Sequence, residues 1–401
     1  MRLDVPDDAP AAVHRDWILI MTVTPWQRGA LTYAPGTVLA ATLDEFLSGT
    51  AELHIVVAPD GHTFVQMAAW TRDRLLVLSL QDVASRLEVI TPGTWESTPV
   101  AGVPANADVG VVSMDQQSNE IFLVADDFDT PSRMLHGDAG GLVTEIKRTP
   151  ERFDAEGLVV SQHFVTSTDG TRVPYFLVAH GDATGPRPTL LHGYGGFAIP
   201  QRPGYLGVTG RLWLQRGGAF AVANTRGGSE YGVEWYLQSI RDGRHRVAED
   251  FAAVATDLVT RGGGLLMGVM LTRYPELFGA LVCQQPLLDM RRYAVLGGSA
   301  FIAEYGDPAD PDDWAFIKDY SPYHQIAADR SYPPILITTS GTDDRVQPGH
   351  ARKMAAALGE AGHEVLFYEN TDGGHGGATT NADAVFQLSL IYDFLFSRLA
   401  D

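Results

Sequence analysis

The chain has 401 residues, of which 45 % are apolar, so it is long enough to bury a sizeable core in one large domain or in two. Its 29 basic and 49 acidic residues give a formal net charge of −20, which opposes binding to nucleic-acid phosphates or to anionic lipid. The single cysteine, Cys283, excludes an internal disulfide, and without a transmembrane-length apolar run or an N-terminal leader the sequence favours a cytoplasmic protein.

The first part of the chain, residues 1–155, is predicted to be all β. Short alternating segments recur there between turn-rich pieces, as is typical of antiparallel strands: WILIMTV, LHIVVAP, RLLVLSL, RLEVITP and EIFLVADD. A four-stranded propeller blade takes roughly 40 to 50 residues, so the region should hold about three blades. Because so few blades cannot close a ring, we expect a partial β-propeller domain.

From residue 156 to residue 401, strand-like runs alternate with helical ones. In the segment RVAEDFAAVATDLVTRG the apolar positions fall on one helical face. HARKMAAALGEAG is also predicted to be a helix, and four runs are predicted to be strands: TLLHGYGGF, AFAVANTRGG, PPILITTSGTDDRV and HEVLFYEN. The alternation indicates an α/β domain with a mainly parallel sheet, in which chemistry takes place at the carboxyl ends of the strands. Cys283, in the run FGALVCQQP, is expected to be a small buried side chain.

Two strand-end turns carry an acid and a base. The turn GTDDRV follows one predicted strand, and DGGHGG, which contains His375, follows the next. This order is the one expected of the orienting carboxylate and the general base of an α/β hydrolase. Alone, a histidine in a glycine loop is more often a solvated turn residue, but the preceding carboxylate turn favours an acid–base pair.

The turn HGYGGF allows two interpretations. Gly193, Gly195 and Ala198 match the loose dinucleotide fingerprint G-x-G-x-x-A, but no acidic residue follows at the spacing needed to hold a ribose. The alternative is an oxyanion loop, in which backbone amides and the Tyr194 hydroxyl face a developing negative charge. We favour the oxyanion loop.

Several motifs in order resemble those of the prolyl oligopeptidase family of serine peptidases. They cover the chain from about Val159 to the C-terminus: LLHGYGGF, NTRGGSEYG, RYPELFGALVCQQPLLDM, EYGDP, YSPYH, GTDDRV and DGGHGG. The resemblance implies a seven-bladed propeller, of which the front of this chain would supply the last blades, followed by an α/β-hydrolase domain. It also implies cleavage of short peptides after proline through an acyl-enzyme.

The resemblance assigns roles to eight residues. Asp343 and His375 would be the triad acid and base, Tyr194 the side-chain oxyanion donor and Arg345 an anchor for the peptide. An apolar pocket shaped for proline would be formed by Phe197, Phe301, Tyr305 and Val346. Phe301 stands where the family usually has tryptophan. The residues alone leave other interpretations open, because the apolar members could belong to the core and Arg345 could pair with Asp344 at the surface.

The chain departs from the family at the nucleophile. Between DLVTRG and GGLLMG, family members carry a linker, a buried strand and a G-G-S-N-G-G turn with the reactive serine. Here the flanks are fused at Gly262 and Gly263, so on the order of a dozen residues, the nucleophile elbow included, are absent. No G-x-S-x-G occurs in the chain, and Ser229 and Ser299 lack the strand before and the helix after that an elbow requires.

Three hypotheses follow from these observations. The first is a prolyl oligopeptidase-like peptidase by descent, inactive in this form. The second is a non-catalytic relative that binds peptides or a partner through the same pocket. The third is an esterase or acyl hydrolase on the same scaffold, because a fold does not determine a function. No metal-binding spacing is present, so neither a metal nor a cofactor is expected, and the expected ligand is a short peptide.

Overall fold

The computed structural model describes residues 3–181, 187–258 and 264–399, which form two compact units. Unit 1 comprises Met1–Pro150, Arg202–Tyr205 and Glu230–Gly232. Unit 2 comprises Glu151–Gln201, Leu206–Ser229 and Val233–Asp401. Within the described ranges, every helix is too short or too polar to cross a membrane.

Unit 1 contains three four-stranded antiparallel sheets and one hairpin. The elements of the first sheet and the hairpin are β1 (Ala11–His14), β2 (Trp17–Met21), β3 (Trp26–Arg28), β4 (Leu31–Tyr33), β5 (Val38–Thr42), helix α1 (Leu43–Ser48) and β6 (His54–Val57). The second sheet has β7 (Thr63–Trp70), β8 (Leu75–Gln81), β9 (Ala84–Ile90) and β10 (Ser97–Pro99). The third has β11 (Asp108–Met114), β12 (Glu120–Asp126), β13 (Arg133–Asp138) and β14 (Val143–Arg148). The sheets confirm the prediction of about three blades.

Strand β8 shows how these sheets pack on one another. Successive side chains of a strand point to opposite faces of its sheet. Leu75 and Val77 accordingly pack in one core with the first sheet, whereas Leu76 and Leu78 pack in another with the third. A strand buried on both faces has to be continuously apolar, which explains the run LLVLSL.

Unit 2 alternates strands with helices. Its strands are β15 (Leu158–Thr166), β16 (Arg172–His180), β17 (Thr189–His192), β18 (Ala219–Ala223), β19 (Leu281–Gln284), β20 (Ile335–Ser340) and β21 (Val365–Asn370). Its helices are α2 (Gly207–Leu212), α3 (Val233–Leu237), α4 (His245–Leu258), α5 (Gly264–Arg273), α6 (Ile302–Tyr305), α7 (Pro311–Ile317), α8 (Gly349–Glu360) and α9 (Asn381–Leu399).

The strands described in unit 2 form two sheets rather than one. The first has the order β15-β16-β18-β17, in which only the β17 and β18 pair is parallel. The second has the order β19-β20-β21 and is fully parallel. Every residue of β18 and of β20 is buried, as expected of interior strands covered on both faces. The predicted mixture of helices with mainly parallel strands is therefore present, although the sheet is interrupted between β17 and β19.

Helix α4 buries the face that its sequence period predicts. Of the six residues predicted for this face, Val247, Phe251, Val254 and Ala255 are buried and Leu258 is half-buried, whereas Val259 lies outside the described residues. The same helix also buries Asp250, whose carboxylate binds the Arg226 guanidinium at 2.6 Å. This ion pair attaches α4 to the loop that follows β18.

A buried histidine on α8 should make the fold sensitive to acid. His350 is 1 % exposed, and its Nδ1 accepts hydrogen bonds from the backbone N–H groups of Leu288 and Asp289 at 3.3 and 3.1 Å. Burial lowers the pKa of His350 to about 4. The folded state favours the neutral ring. The contribution of neutral His350 to the free energy of unfolding is therefore fully present above the unfolded pKa of roughly 6.5 and is lost as pH falls towards 4.

We therefore expect His350 to remove about 2 to 3 kcal/mol from the free energy of unfolding between pH 6.5 and pH 4. Urea denaturation at several pH values measures this loss. His350→Gln is the matched control, because its amide oxygen can accept the same bonds without titrating. An equally steep pH dependence in the two proteins would contradict the prediction.

Candidate active site

Three polar loops in unit 2 follow the carboxyl ends of strands. β17 leads into the loop that holds Tyr194 and Phe197, β20 leads into the turn that holds Asp343, and β21 leads into the loop of His375. The carboxyl ends of strands are where α/β sheets place their ligands.

Asp343 and His375 form a hydrogen-bonded pair. The His375 Nδ1 lies 2.8 Å from Asp343 Oδ2. The other carboxylate oxygen, Oδ1, accepts from the backbone N–H groups of Arg345 at 3.0 Å and Val346 at 2.9 Å. Asp343 is buried, whereas the His375 side chain is 37 % exposed. The carboxylate thus holds one ring nitrogen and leaves Nε2 for proton transfer with a bound molecule.

The loop of His375 is attached to its neighbours by short polar contacts. Thr342, next to Asp343, donates its hydroxyl to the Gly373 carbonyl at 2.9 Å, and Asn370 donates its amide to the Gly377 carbonyl. A side chain at Gly373 would collide with that same carbonyl oxygen, at 2.0 Å. Glycine is therefore required for the close turn that brings His375 to Asp343.

A cavity of about 940 Å³ opens at these loops. Its lining includes seven of the eight residues singled out in the sequence: Tyr194, Phe197, Phe301, Tyr305, Arg345, Val346 and His375. Asp343 lies behind His375. The structure therefore brings all eight together, although they span about half of the chain.

Aromatic rings form one wall of the cavity. The Phe197 ring meets Phe301 at 5.1 Å and Tyr305 at 5.9 Å between centroids, both edge to face. This geometry is the preferred one for aromatic pairs. Tyr305 and Val346 are buried, yet both line the cavity, so their packing in the core does not exclude contact with a ligand.

Tyr194 lines the cavity and is 42 % exposed. Partial burial raises the pKa of Tyr194, and the positive charges of Arg244 and Arg345 oppose that rise. The group therefore remains a hydroxyl, able to donate a hydrogen bond. Its loop turns at Gly195, where φ is +64° and a Cβ would lie 2.2 Å from Val247, so only glycine fits.

A buried ion pair behind this loop was not predicted from the sequence. Glu304 is 2 % exposed and accepts hydrogen bonds from the Phe197 N–H at 3.1 Å, the Tyr236 hydroxyl at 2.6 Å and Arg244 at 3.1 Å. Phe197 and Ala198 both have φ of +54°, a strained conformation that the surrounding structure has to hold. The motif EYGDP contains this carboxylate and was the available signal.

The fused junction at Gly262 and Gly263 lies outside the described residues, and α5 begins directly after it at Gly264. Ser299 lies in a short 3-10 turn, Gly298–Phe301, and Ser229 lies in a loop. Cys283 is fully buried, as predicted, and burial raises the pKa of its thiol.

Comparison with known proteins supports the resemblance. The family model of the prolyl oligopeptidase family matches residues 209–401. An uncharacterized peptidase of Sinorhizobium fredii is 39 % identical over 94 % of this chain and 56 % of its own length. The prolyl endopeptidase of Elizabethkingia miricola is 29 % identical over 88 % of this chain and 51 % of its own length.

The structure of a post-proline cleaving enzyme from Rickettsia typhi matches with a TM-score of 0.84 at 29 % identity, over 99 % of this chain and 61 % of that one. The chain thus spans little more than half the length of these curated relatives. The match confirms the predicted fold class, an α/β-hydrolase domain preceded by a partial β-propeller. In both sequence and fold, the chain belongs to the prolyl oligopeptidase family.

Proposed function

We propose that this chain carries the acid–base pair and the peptide pocket of a prolyl oligopeptidase-like serine peptidase. A form that also has a nucleophile would cleave short peptides after proline through an acyl-enzyme. The observation that carries the proposal is the Asp343 and His375 pair, 2.8 Å apart, at a cavity with an aromatic wall. The names of the relatives, prolyl endopeptidase and post-proline cleaving enzyme, support the same substrate class.

Each polar residue has a separate role in this proposal. Asp343 holds the tautomer of His375 and stabilises the imidazolium that forms when Nε2 takes a proton from a serine hydroxyl. The hydroxyl of Tyr194 donates to the oxygen of the tetrahedral intermediate. The guanidinium of Arg345 binds a carbonyl group of the peptide.

The apolar residues of the cavity would select proline. Phe197, Phe301 and Tyr305 present ring edges and faces against which a pyrrolidine ring can pack, and Val346 adds an aliphatic surface. Phenylalanine at position 301 keeps an aromatic surface, but its ring is smaller than that of tryptophan. We infer a looser fit around proline than in relatives with tryptophan.

This chain is proposed to bind peptides without turnover. It has no G-x-S-x-G, so His375 has no nucleophile to deprotonate, and the backbone amide beside that serine, a second oxyanion donor, is also lost. The retained pocket therefore also favours the second hypothesis, a relative that binds peptides without cleaving them. We further propose a cytoplasmic location, which the single cysteine supports.

Binding and labelling of the 401-residue chain test this proposal. We expect a short alanyl-prolyl peptide to bind at least about tenfold more tightly than its alanyl-alanyl counterpart, and Phe301→Ala to remove that preference. Mass spectrometry should show no cleavage, and a fluorophosphonate probe should leave every serine unlabelled. Stoichiometric labelling would show that the chain is active. Turnover of small acyl esters without a preference for proline would instead support the esterase hypothesis.

A further inference from the structure

Two sheet edges face the same cavity. In the described part of the chain, β17 is paired with β18 alone and β19 with β20 alone. Leu190, Leu191 and His192 of β17 line the cavity, as do Val282 and Gln284 of β19. The cavity thus lies between the free edges of the two sheets.

The hydrogen-bond ladders show which backbone groups face this space. The Ala219 N–H of β18 donates to the carbonyl of Pro188, just before β17, at 2.9 Å. In a parallel ladder, successive residues of a strand direct their N–H and C=O groups to opposite sides, so those of Leu191 point away from β18. The Leu281 N–H donates to the carbonyl of Pro334, just before β20, and the Gln285 N–H donates to the carbonyl of Thr338 in β20, both at 2.9 Å. The N–H and C=O of Val282 accordingly point away from β20. Strong backbone donors and acceptors are therefore directed from both sides towards the cavity.

Two helices add apolar side chains to the lining of the same space. Leu265 and Leu266 of α5 line it, together with Leu388, Ile391 and Leu395 of α9. Between such walls the backbone groups of the two edges require partners that also bring apolar side chains. An extended peptide meets both requirements, because its main chain pairs with an edge while alternate side chains enter pockets.

Charge at one end of the cavity defines the direction of such a peptide. β17 leads at its carboxyl end to Tyr194, and β20 leads to Arg345, whose charge acts on Tyr194. Arg244 lines the same cavity, is 7 % exposed and is ion-paired through Nη1 to Glu304. A strand parallel to both edges would direct its C-terminal carboxylate towards Arg244 and the exposed Arg345.

We propose that the cavity is a strand-addition site. It takes an extended apolar peptide of about five residues between β17 and β19, each four residues long, with its free C-terminal carboxylate towards Arg244 and Arg345. The site requires neither proline nor His375. It shares the cavity and Arg345 with the function proposed above, but it depends on a separate set of contacts, the backbone groups of β17 and β19.

The probe is the peptide acetyl-Lys-Val-Ile-Val-Gly with a free carboxylate, titrated calorimetrically into the full chain. N-methylation of the central isoleucine removes one ladder hydrogen bond and should weaken binding at least about tenfold. N-methylation of the lysine, beyond the four-residue edges, is the matched control and should have little effect. Amidation of the C-terminus should weaken binding about fivefold or more.

A protein variant tests the edge directly. Val282→Pro removes the N–H that faces the cavity and leaves the bonds of Leu281 and Gln285 to the β20 side in place. It should abolish binding of the probe, whereas Val282→Ala should retain it, with circular dichroism confirming that both are folded.

Two results would overturn the proposal. Equal affinity for the parent and isoleucine-methylated peptides would show that the cavity binds apolar groups without strand pairing, even if Val282→Pro does not fold. Loss of probe binding in Phe301→Ala would place the peptide against the aromatic wall instead. Failure of the alanyl-prolyl peptide to bind would contradict only the proposed function.

Discussion

Insertion of a strand, a Gly-Gly-Ser-Asn turn and a short linker between Gly262 and Gly263 is expected to stabilise the protein strongly. The inserted strand would lie between β17 and β19 and join the two sheets of unit 2. Burial of four or five side chains, at roughly 1.5 to 3 kcal/mol each, would add about 6 to 15 kcal/mol to the free energy of unfolding, as an upper bound. Thermal unfolding should shift upward by more than about 10 °C.

The same insertion should create a reactive serine. Its turn would precede α5, which begins at Gly264, so the positive end of that helix would favour negative charge near the reacting centre. With Asp343 and His375 already paired, a fluorophosphonate should label the inserted serine. The insertion should also abolish binding of the strand probe, because it fills the same space.

The matched control is the same insertion with alanine in place of serine, which should be equally stable and unlabelled. A chain that unfolds at the original temperature and stays unlabelled would show that the fused junction is not what disables the protein. The DDRV and GGHGG turns would then be parts of a binding surface. The favoured hypothesis would be the second one, a non-catalytic relative that binds peptides or a partner.

Glu304→Ala should destabilise unit 2 by about 3 to 5 kcal/mol, because it leaves the Arg244 charge, which is 7 % exposed, without its partner. It also removes the acceptor for the Phe197 N–H, in a segment whose positive φ depends on its surroundings. Since the Phe197 ring meets both Phe301 and Tyr305, we expect the affinity for the alanyl-prolyl peptide to fall at least about tenfold.

Urea denaturation and calorimetric titration of the folded variant measure the two effects separately. Glu304→Gln is the control, because its amide oxygen can still accept from Phe197 while the charge is lost. It should recover most of the peptide affinity but only part of the stability. Unchanged peptide affinity in Glu304→Ala would refute the idea that this carboxylate positions the aromatic wall.

Local patterns in the sequence were sufficient for much of the fold. The apolar run of β8, the apolar face of α4 and the turns after β20 and β21 depend on neighbouring residues along the chain. The predicted alternation is absent from β8, because both of its faces are buried. The order of GTDDRV and DGGHGG also predicted that Asp343 and His375 meet, since neighbouring parallel strands end at the same edge of a sheet.

The sequence by itself thus determined the element types, the order of the polar loops and the pairing of Asp343 with His375. Only the tertiary structure decided that Glu304 is buried against Arg244 and Phe197, which lie 60 and 107 positions away along the chain. It alone also decided that β17 and β19, each paired on one side only among the described strands, line one cavity. Both features depend on contacts between distant segments, whose geometry follows from how whole elements pack and which local periodicity does not encode.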